Sequence, residues 1–511
     1  MRALLVTSVG VTCAAALTLP LAAPASSAPV LSSASARPPS LTTEPRTDTT
    51  DTIDTTDTID TSGTTGTSGT TTSDTTAPDG AEPRAAKSAA EPAGSTQSLP
   101  LAPLAVPSNR VAGAPVVQGL PQRDARPFSL VGVVWDDAEA ELHGTVQVRT
   151  RATGTTRWSD WQDVETHNAD HAADLGSAER EGRTVRGATA PLWVGDSDGV
   201  EVRVRPESPG SQDRAATHVP LPEGMRLELV DPGEDPAPEP ARGAPANRAA
   251  VPAVFADTPP TAALPEVLTA EIAAASAVNA EVAELGASVI PALTQAETVE
   301  SVNLAPGAKP YIGPRPRIVT RKGWGADEKL RERNFGYTKS VKAAFVHHSA
   351  TGNNYTCKQA PSVLRSIYRY HVKSSGWRDF GYNFAVDKCG NIYEGRAGGV
   401  TKAVLGAHTL GFNTNTMGIA VLGSYGSTNP PAAAVTAVSK LTAWKLGLFG
   451  ANPKGKVTLV SGGSNKYRKG VKVKMNVISG HRDGFATECP GARLYKKLGT
   501  ARTSSAKLQG R

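Results

Sequence analysis

VKAAFVHHSA, Val341 to Ala350, begins as an apolar run and ends in polar residues, the pattern of a buried strand whose C-terminal end reaches a polar surface. The segments after it change type. SVLRSIYRYHVKS from Ser362 carries apolar residues at helical spacing, and YNFAVDKCGNIYEGR from Tyr382 reads as two strands about a Cys389-Gly390-Asn391 turn. MGIAVLGSY from Met417 reads as a central strand, and AAVTAVSKLTAWKLGLFG as a helix that ends at Gly450. Strands alternating with helices predict an α/β domain over residues 314–500, with a mixed central β-sheet flanked by helices and a basic tail over 501–511.

Two features of that domain carry chemistry. His347 falls at the C-terminal end of its strand, and VISGHRDGFATECPG, Val477 to Gly491, sets His481 and Cys489 eight residues apart on a loop. Two imidazoles and a thiolate are good zinc ligands, and three protein ligands leave a fourth position for water, as catalytic zinc requires. Zinc would lower the pKa of that water from about 15.7 to about 7 and polarise a carbonyl. Charge is the other feature. From Lys309 to Arg511 there are 34 Lys and Arg against 8 Asp and Glu, whereas the whole 511-residue chain has 54 against 48 and a net charge of +6. A domain so cationic in an exported chain points to an anionic polymer or surface, with wall polymers and peptidoglycan carboxylates as the natural candidates rather than nucleic acid.

Export is expected from the N-terminus, where Arg2 precedes an uncharged run from Ala3 to Leu21 and small residues near Ala25 and Ala28; residues 1–28 read as a secretory signal peptide, not a stable membrane insertion. Residues 29–100, with the repeat DTTDTIDTTDTIDTSGTTGTSGTTTSDTT from Asp48, lack the apolar residues to build a core and read as a stalk. Short alternating runs such as FSLVGVVW from Phe128, TVQVRTRA from Thr145 and GVEVRVRP from Gly199 predict a small all-β domain over 106–231, expected to be a sandwich. It shows no clustered His, Cys or carboxylates at ligand spacing, and its Trp158 and Trp161 are expected in the core more readily than on a sugar-stacking surface. Residues 232–310, rich in Ala and Pro, read as a linker with one helical piece between Leu264 and Leu285. Removing the signal leaves Cys357, Cys389 and Cys489, an odd count in an oxidising compartment: one thiol is free, or one serves chemistry while two pair.

From about Arg317 to Leu498, KGWGAD, FVHHSA, YRYHV, GWRDFGYNFAVDKCGNIYEGRAGG, GAHTLGFNTNTMGIAVLG and GHRDGFATECPG follow one another in order. In these motifs the segment resembles the peptidoglycan recognition protein and phage-lysozyme-type N-acetylmuramoyl-L-alanine amidase family, and looks most like its secreted actinobacterial members. The resemblance implies Zn2+ held by His347, His481 and Cys489, with His348 turned the other way on its strand. It implies Tyr382 beside the zinc-bound water or the tetrahedral intermediate, and Thr487 as a hydroxyl donor to the developing oxyanion, where phage enzymes carry a lysine. His408 and Asn413 match residues that line the substrate groove, Arg396 could meet a stem-peptide carboxylate, and Glu394 is a candidate proton carrier. His371 recurs in the family but sits on a helix face, where core packing is the simpler expectation. With Cys489 on zinc, a Cys357–Cys389 disulfide is implied. SGGSNKYRKGVKVKMNV, Ser461 to Val477, is expected to form a basic hairpin near the groove. The implied activity is hydrolysis of the amide between N-acetylmuramic acid and L-alanine by a monomeric, secreted enzyme; the alternatives are a peptidoglycan-binding module without catalysis and a zinc peptidase acting on stem peptides.

Overall fold

The run that opens at Val341 becomes the strand Ala343–His348 in a computed structural model of the chain, which describes residues 94–104, 116–166, 171–207, 219–236, 268–302 and 310–511. Its neighbours follow from composition: Thr416–Val421 and Ile478–Gly480 are apolar enough to be buried on both faces, and both pair with it in parallel. The sheet runs on through Phe384–Val386, Ile392–Glu394, Ile318–Val319 and Val289–Ile290, mixing parallel and antiparallel neighbours as expected. Between Phe384–Val386 and Ile392–Glu394 the turn is held by Asp387, whose Oδ1 accepts from the N–H groups of Cys389 and Asn391, and by Gly390 at a φ of 87°, a conformation a side chain would strain. Cys389 is also one half of a disulfide with Cys357, their Cα atoms 6.2 Å apart.

Each face of the sheet has its own cover. On one, Ala344, Val346, Ile419 and Val421 pack with Val438, Leu441 and Trp444 of the helix Ala432–Leu448 and with Leu498 and Ala501. The latter two belong to the helix Leu498–Leu508, so the end of the chain is not a basic tail. Leu498, Ala501 and Ser505 recur at helical spacing, and the Ser505 hydroxyl lies 2.7 Å from that of Thr442. On the other face lies the helix Ala360–Arg369, which runs into a π-helical turn over Tyr370–Ser374.

The stretch read as a linker also contributes structure. Within it Ala270–Ala277 is helical, capped by the Thr269 hydroxyl, and Val289–Ile290 adds an edge strand to the sheet through Ile318–Val319. Ile290 is fully enclosed, which explains why an Ala- and Pro-rich segment is held here.

The described residues between 95 and 231 form the all-β unit. Its long strands Gln118–Trp135, Gly144–Ala152, Leu192–Pro206 and Arg226–Asp231 pair antiparallel within one eight-stranded sheet, joined at the edges by Ser95–Pro100 and Gln162–Val164. Irregularities at Leu120/Arg123, Asp124/Phe128 and Phe128/Leu130 bend the longest strand, so one hydrogen-bonded sheet curls over its own core instead of splitting into a two-sheet sandwich. Trp158 and Trp161 stand outside that core, half-buried beneath Arg149, Arg151 and Arg203, with the Arg203 guanidinium 3.9 Å from the Trp161 ring centre. Arginines along the neighbouring strands supply the cation–π partners that keep both rings at the surface.

The two domains share a core. Leu130, Val134, Trp193 and Val230 of the β unit pack with Tyr355, Val363, Ile367 and Tyr370 of the α/β unit, and the enclosed Tyr370 hydroxyl donates to the carbonyl of Thr189 at 3.1 Å. Among the described residues no helix is long and apolar enough to cross a membrane. The expected signal segment and the stalk up to residue 93 lie outside the described residues.

Candidate metal centre

Parallel strands deliver their C-terminal ends to one edge of a sheet, and clefts form there. His347 closes the strand Ala343–His348 and shares its face with Phe345, while His348, one residue on, points away and accepts from the Tyr425 N–H. The adjacent parallel strand Ile478–Gly480 ends directly before His481, so two imidazoles arrive side by side, ring centres 4.5 Å apart. From His481 the chain turns through 481–484 and returns at Cys489, whose N–H donates to the Thr487 hydroxyl and whose Sγ lies 3.8 Å from His347 Nδ1. Thus the three residues singled out in sequence meet.

A fourth residue meets them. His171, from the segment that follows the strand Gln162–Val164 of the β unit, puts its Nε2 3.1 Å from His481 Nδ1 and 3.5 Å from Cys489 Sγ. One ligand-type atom from each of His171, His347, His481 and Cys489 falls within 4.8 Å of the others, and all four residues are buried, so the cluster could hold a metal ion. Sequence reading missed His171 because THNADHAADLG has neither alternation nor helical spacing and stands more than 170 residues from its partners. Its one signal was a histidine in a polar segment of an otherwise strand-patterned domain.

The environment suits metal binding. Burial, helped by the neighbouring histidines, holds the His347 imidazole well below the usual histidine range, so it is neutral and has a lone pair to offer. Its Nδ1 faces Cys489 while its Nε2 lies 3.4 Å from the Thr409 hydroxyl, a contact that orients the ring. Tyr382 stands over the cluster, its ring centre 5.3 Å from that of His347.

The remaining candidates are spread out. His408 is wholly enclosed behind His347, 0% exposed, bonded to Thr409 and packed against Phe345, so it meets no groove. Asn413 braces its own loop by accepting from the N–H groups of His408 and Thr409, and its Nδ2 donates to Ala172 and Asp174 of the β unit. Arg396 donates to the Phe380 carbonyl and pairs with Glu179 at 2.6 Å. Glu394 is not brought to the cluster: its carboxylate accepts from Asn279 and from the Arg321 N–H on the side of the helix Ala270–Ala277, and burial lifts its pKa to about 7. His371 is a core residue, stacked on Trp377 with ring centres 4.4 Å apart. A basic hairpin is present but begins earlier than expected: Lys456–Val460 pairs with Lys472–Asn476, so the stretch from Ser461 supplies the connection and the second strand only. Its tip, with Gly463, Arg468 and Lys469, borders a cavity of about 470 Å³ that reaches His171 and Phe485.

Residues 337–492 match the family described as N-acetylmuramoyl-L-alanine amidase, and residues 69–241 match one described as Rv3811 N-terminal galactose-binding domain-like. Peptidoglycan-recognition protein SC2 of Drosophila simulans is 32% identical over 185 residues, which is 36% of this chain and 85% of that protein. The chain belongs to the peptidoglycan-recognition protein and N-acetylmuramoyl-L-alanine amidase family. A second member, the N-acetylmuramoyl-L-alanine amidase of Homo sapiens, is 31% identical over 194 residues, or 36% of this chain and 28% of that protein. Among solved structures, peptidoglycan recognition protein-LE in complex with tracheal cytotoxin is 29% identical and covers 36% of this chain and 92% of its own, with a TM-score of 0.28. The amidase match carries His347, His481 and Cys489, and His171 falls in the other matched region.

Proposed function

We propose that the chain is a zinc-dependent N-acetylmuramoyl-L-alanine amidase that acts on peptidoglycan outside the cytoplasm. The observation that carries this reading is the convergence of His347, His481 and Cys489 in a member of the family. The donor set fits zinc. With Zn–N near 2.0–2.1 Å and Zn–S near 2.3 Å, a tetrahedral ion sets its ligand atoms roughly 3.3–3.6 Å apart. Within this set Cys489 Sγ lies 3.8 Å from His347 Nδ1, and the neighbouring His171 Nε2 lies 3.1 Å from His481 Nδ1 and 3.5 Å from Cys489 Sγ.

When bound, zinc would supply a Lewis acid and an acidified water. The chain's own groups do the rest. Tyr382, whose ring packs beside that of His347, takes the role of donating its hydroxyl to the scissile carbonyl oxygen as charge develops on it. Thr487 offers a second hydroxyl next to Cys489, although it already accepts from the Cys489 N–H, so its donated bond is the one left for substrate. The exposed Lys472 and Lys474 of the hairpin, with Arg468 and Lys469 at its tip, give an anionic glycopeptide a favourable field on approach. Glu394 has no place in this scheme, and the proton for the leaving amine comes through water.

Digestion of purified peptidoglycan by the full chain, followed by mass spectrometry, tests the reading. Stem peptides beginning at L-alanine should appear, and should vanish with a chelator. Binding to peptidoglycan without such products, by a chain that retains no metal, would establish the recognition-module alternative, and cleavage within the stem peptides would establish a peptidase.

A further inference from the structure

Catalytic zinc sites keep one position for water, and structural sites close it with a fourth protein ligand. Read with His171 included, the cluster here is of the closed kind. His171 Nε2 is as near to His481 and Cys489 as a tetrahedral ligand set demands, and the residue is buried.

The segment that carries His171 is anchored on the α/β unit. Asp174 Oδ1 accepts from the Gly411 N–H and from Asn413 Nδ2, both at 2.7 Å, and the Ala172 carbonyl accepts from Asn413 at 2.9 Å. Further along, Glu179 pairs with Arg396, and the Arg186 N–H donates to the Ser375 carbonyl at 3.1 Å. Of the three groups that the family resemblance assigned to substrate, His408 is enclosed and the other two, Asn413 and Arg396, are both engaged by this one segment. The Asp174 and Glu179 side chains thus stand where substrate amides and carboxylates would compete for the same donors. The shared core with Tyr370 at its centre holds the β unit in register for these contacts.

We propose that His171 is the fourth ligand of the metal centre and that residues 171–186 plug the substrate groove, so that the chain is a latent amidase opened by displacement of this segment. The inference rests on the amidase reading above. Opening requires no bond to break in the backbone: His171 leaves, water takes its position, and Asn413 and Arg396 are released to substrate together. The cavity beside His171 gives the segment room to withdraw.

The test uses the full chain loaded with Co2+, whose visible spectrum reports ligand number, alongside peptidoglycan digestion by the zinc form. The His171→Ala variant should release stem peptides at least roughly tenfold faster, as expected when a minor open state becomes dominant. Its Co2+ spectrum should shift on adding inorganic phosphate, whereas the wild-type spectrum should not. Asp174→Ala combined with Glu179→Ala loosens the plug but keeps the ligand; it should raise the rate and make the spectrum respond to phosphate only in part, which covers the case of a poorly folded His171 variant. Wild-type Co2+ that responds to phosphate as fully as His171→Ala, or a His171→Ala protein that binds metal but gains no activity, overturns the proposal. Failure of the wild type to bind any metal would instead sink the amidase reading, and this inference with it.

Discussion

The two domains reach the same histidine and cysteine cluster by opposite routes. The α/β unit brings His347 and His481 to adjacent ends of parallel strands, where backbone pairing fixes them to within the pleat, and Cys489 follows from a short return. The β unit brings His171 on a connecting segment whose position depends on side-chain bonds to Asn413 and Arg396. Ligands on strand ends are built to stay, and a ligand on a bonded segment can leave. The same cluster can therefore be both a firm site and one with a removable member.

The sharpest way to break that comparison is to remove a strand-side ligand. Cys489→Ala should abolish both metal retention, read by elemental analysis, and release of stem peptides, whereas loss of His171 should leave metal bound. Next in size is the buried ion network behind the groove, where Arg321, 2% exposed, donates to Glu328 at 2.6 Å and to Asp379 at 3.1 Å. Arg321→Met takes the guanidinium from the buried Asp379, while Glu328 keeps Arg331, and should cost about 3–5 kcal/mol in chemical denaturation. Replacing Cys357 and Cys389 by Ser opens a loop of 32 residues' separation and should cost about 2–4 kcal/mol, with the metal site intact.

The smallest effect concerns pH, and it separates core charges from the cluster. Burial lowers the Lys445 pKa from 10.5 to about 7, although its ammonium donates to the Lys402 carbonyl at 2.7 Å. Between pH 7 and 10.5 the unfolded chain then binds more protons there than the folded one, so stability rises with pH across that window. Glu394 acts in the opposite sense. Its pKa is raised from 4.5 to about 7, the folded chain holds the extra proton between those values, and stability falls as pH rises towards 7. Together they predict a trough near pH 7. Lys445→Met should remove the recovery above it, worth about 1 kcal/mol between pH 7 and 8, as measured by denaturant midpoints.

Much of the α/β unit was legible because its local signals agree with its packing. Val341–His348 is apolar where the sheet is buried on both faces, and the helix at Ala432–Leu448 ends just before Gly450, at a φ of 71°. The motif spacing also brought His347, His481 and Cys489 together. What escaped were features set by tertiary partners. Leu498–Leu508 has too little apolar character to announce a core helix, yet Ser505 finds Thr442. Asn413 and Arg396 are polar groups that could face solvent, substrate or another domain, and only the docked β unit reveals which. Glu394 lies on the strand Ile392–Glu394 next to a catalytic-looking motif, but a carboxylate's direction follows from its bonds, here to Asn279 and Arg321. His171 illustrates the general limit: a ligand supplied across domains leaves no spacing to read.

The most direct test of the central claim is zinc K-edge X-ray absorption on the purified full chain. One zinc per chain is expected, with a single sulfur neighbour near 2.3 Å and nitrogen neighbours near 2.0–2.1 Å. Absence of zinc, or a shell of oxygen alone, would contradict it.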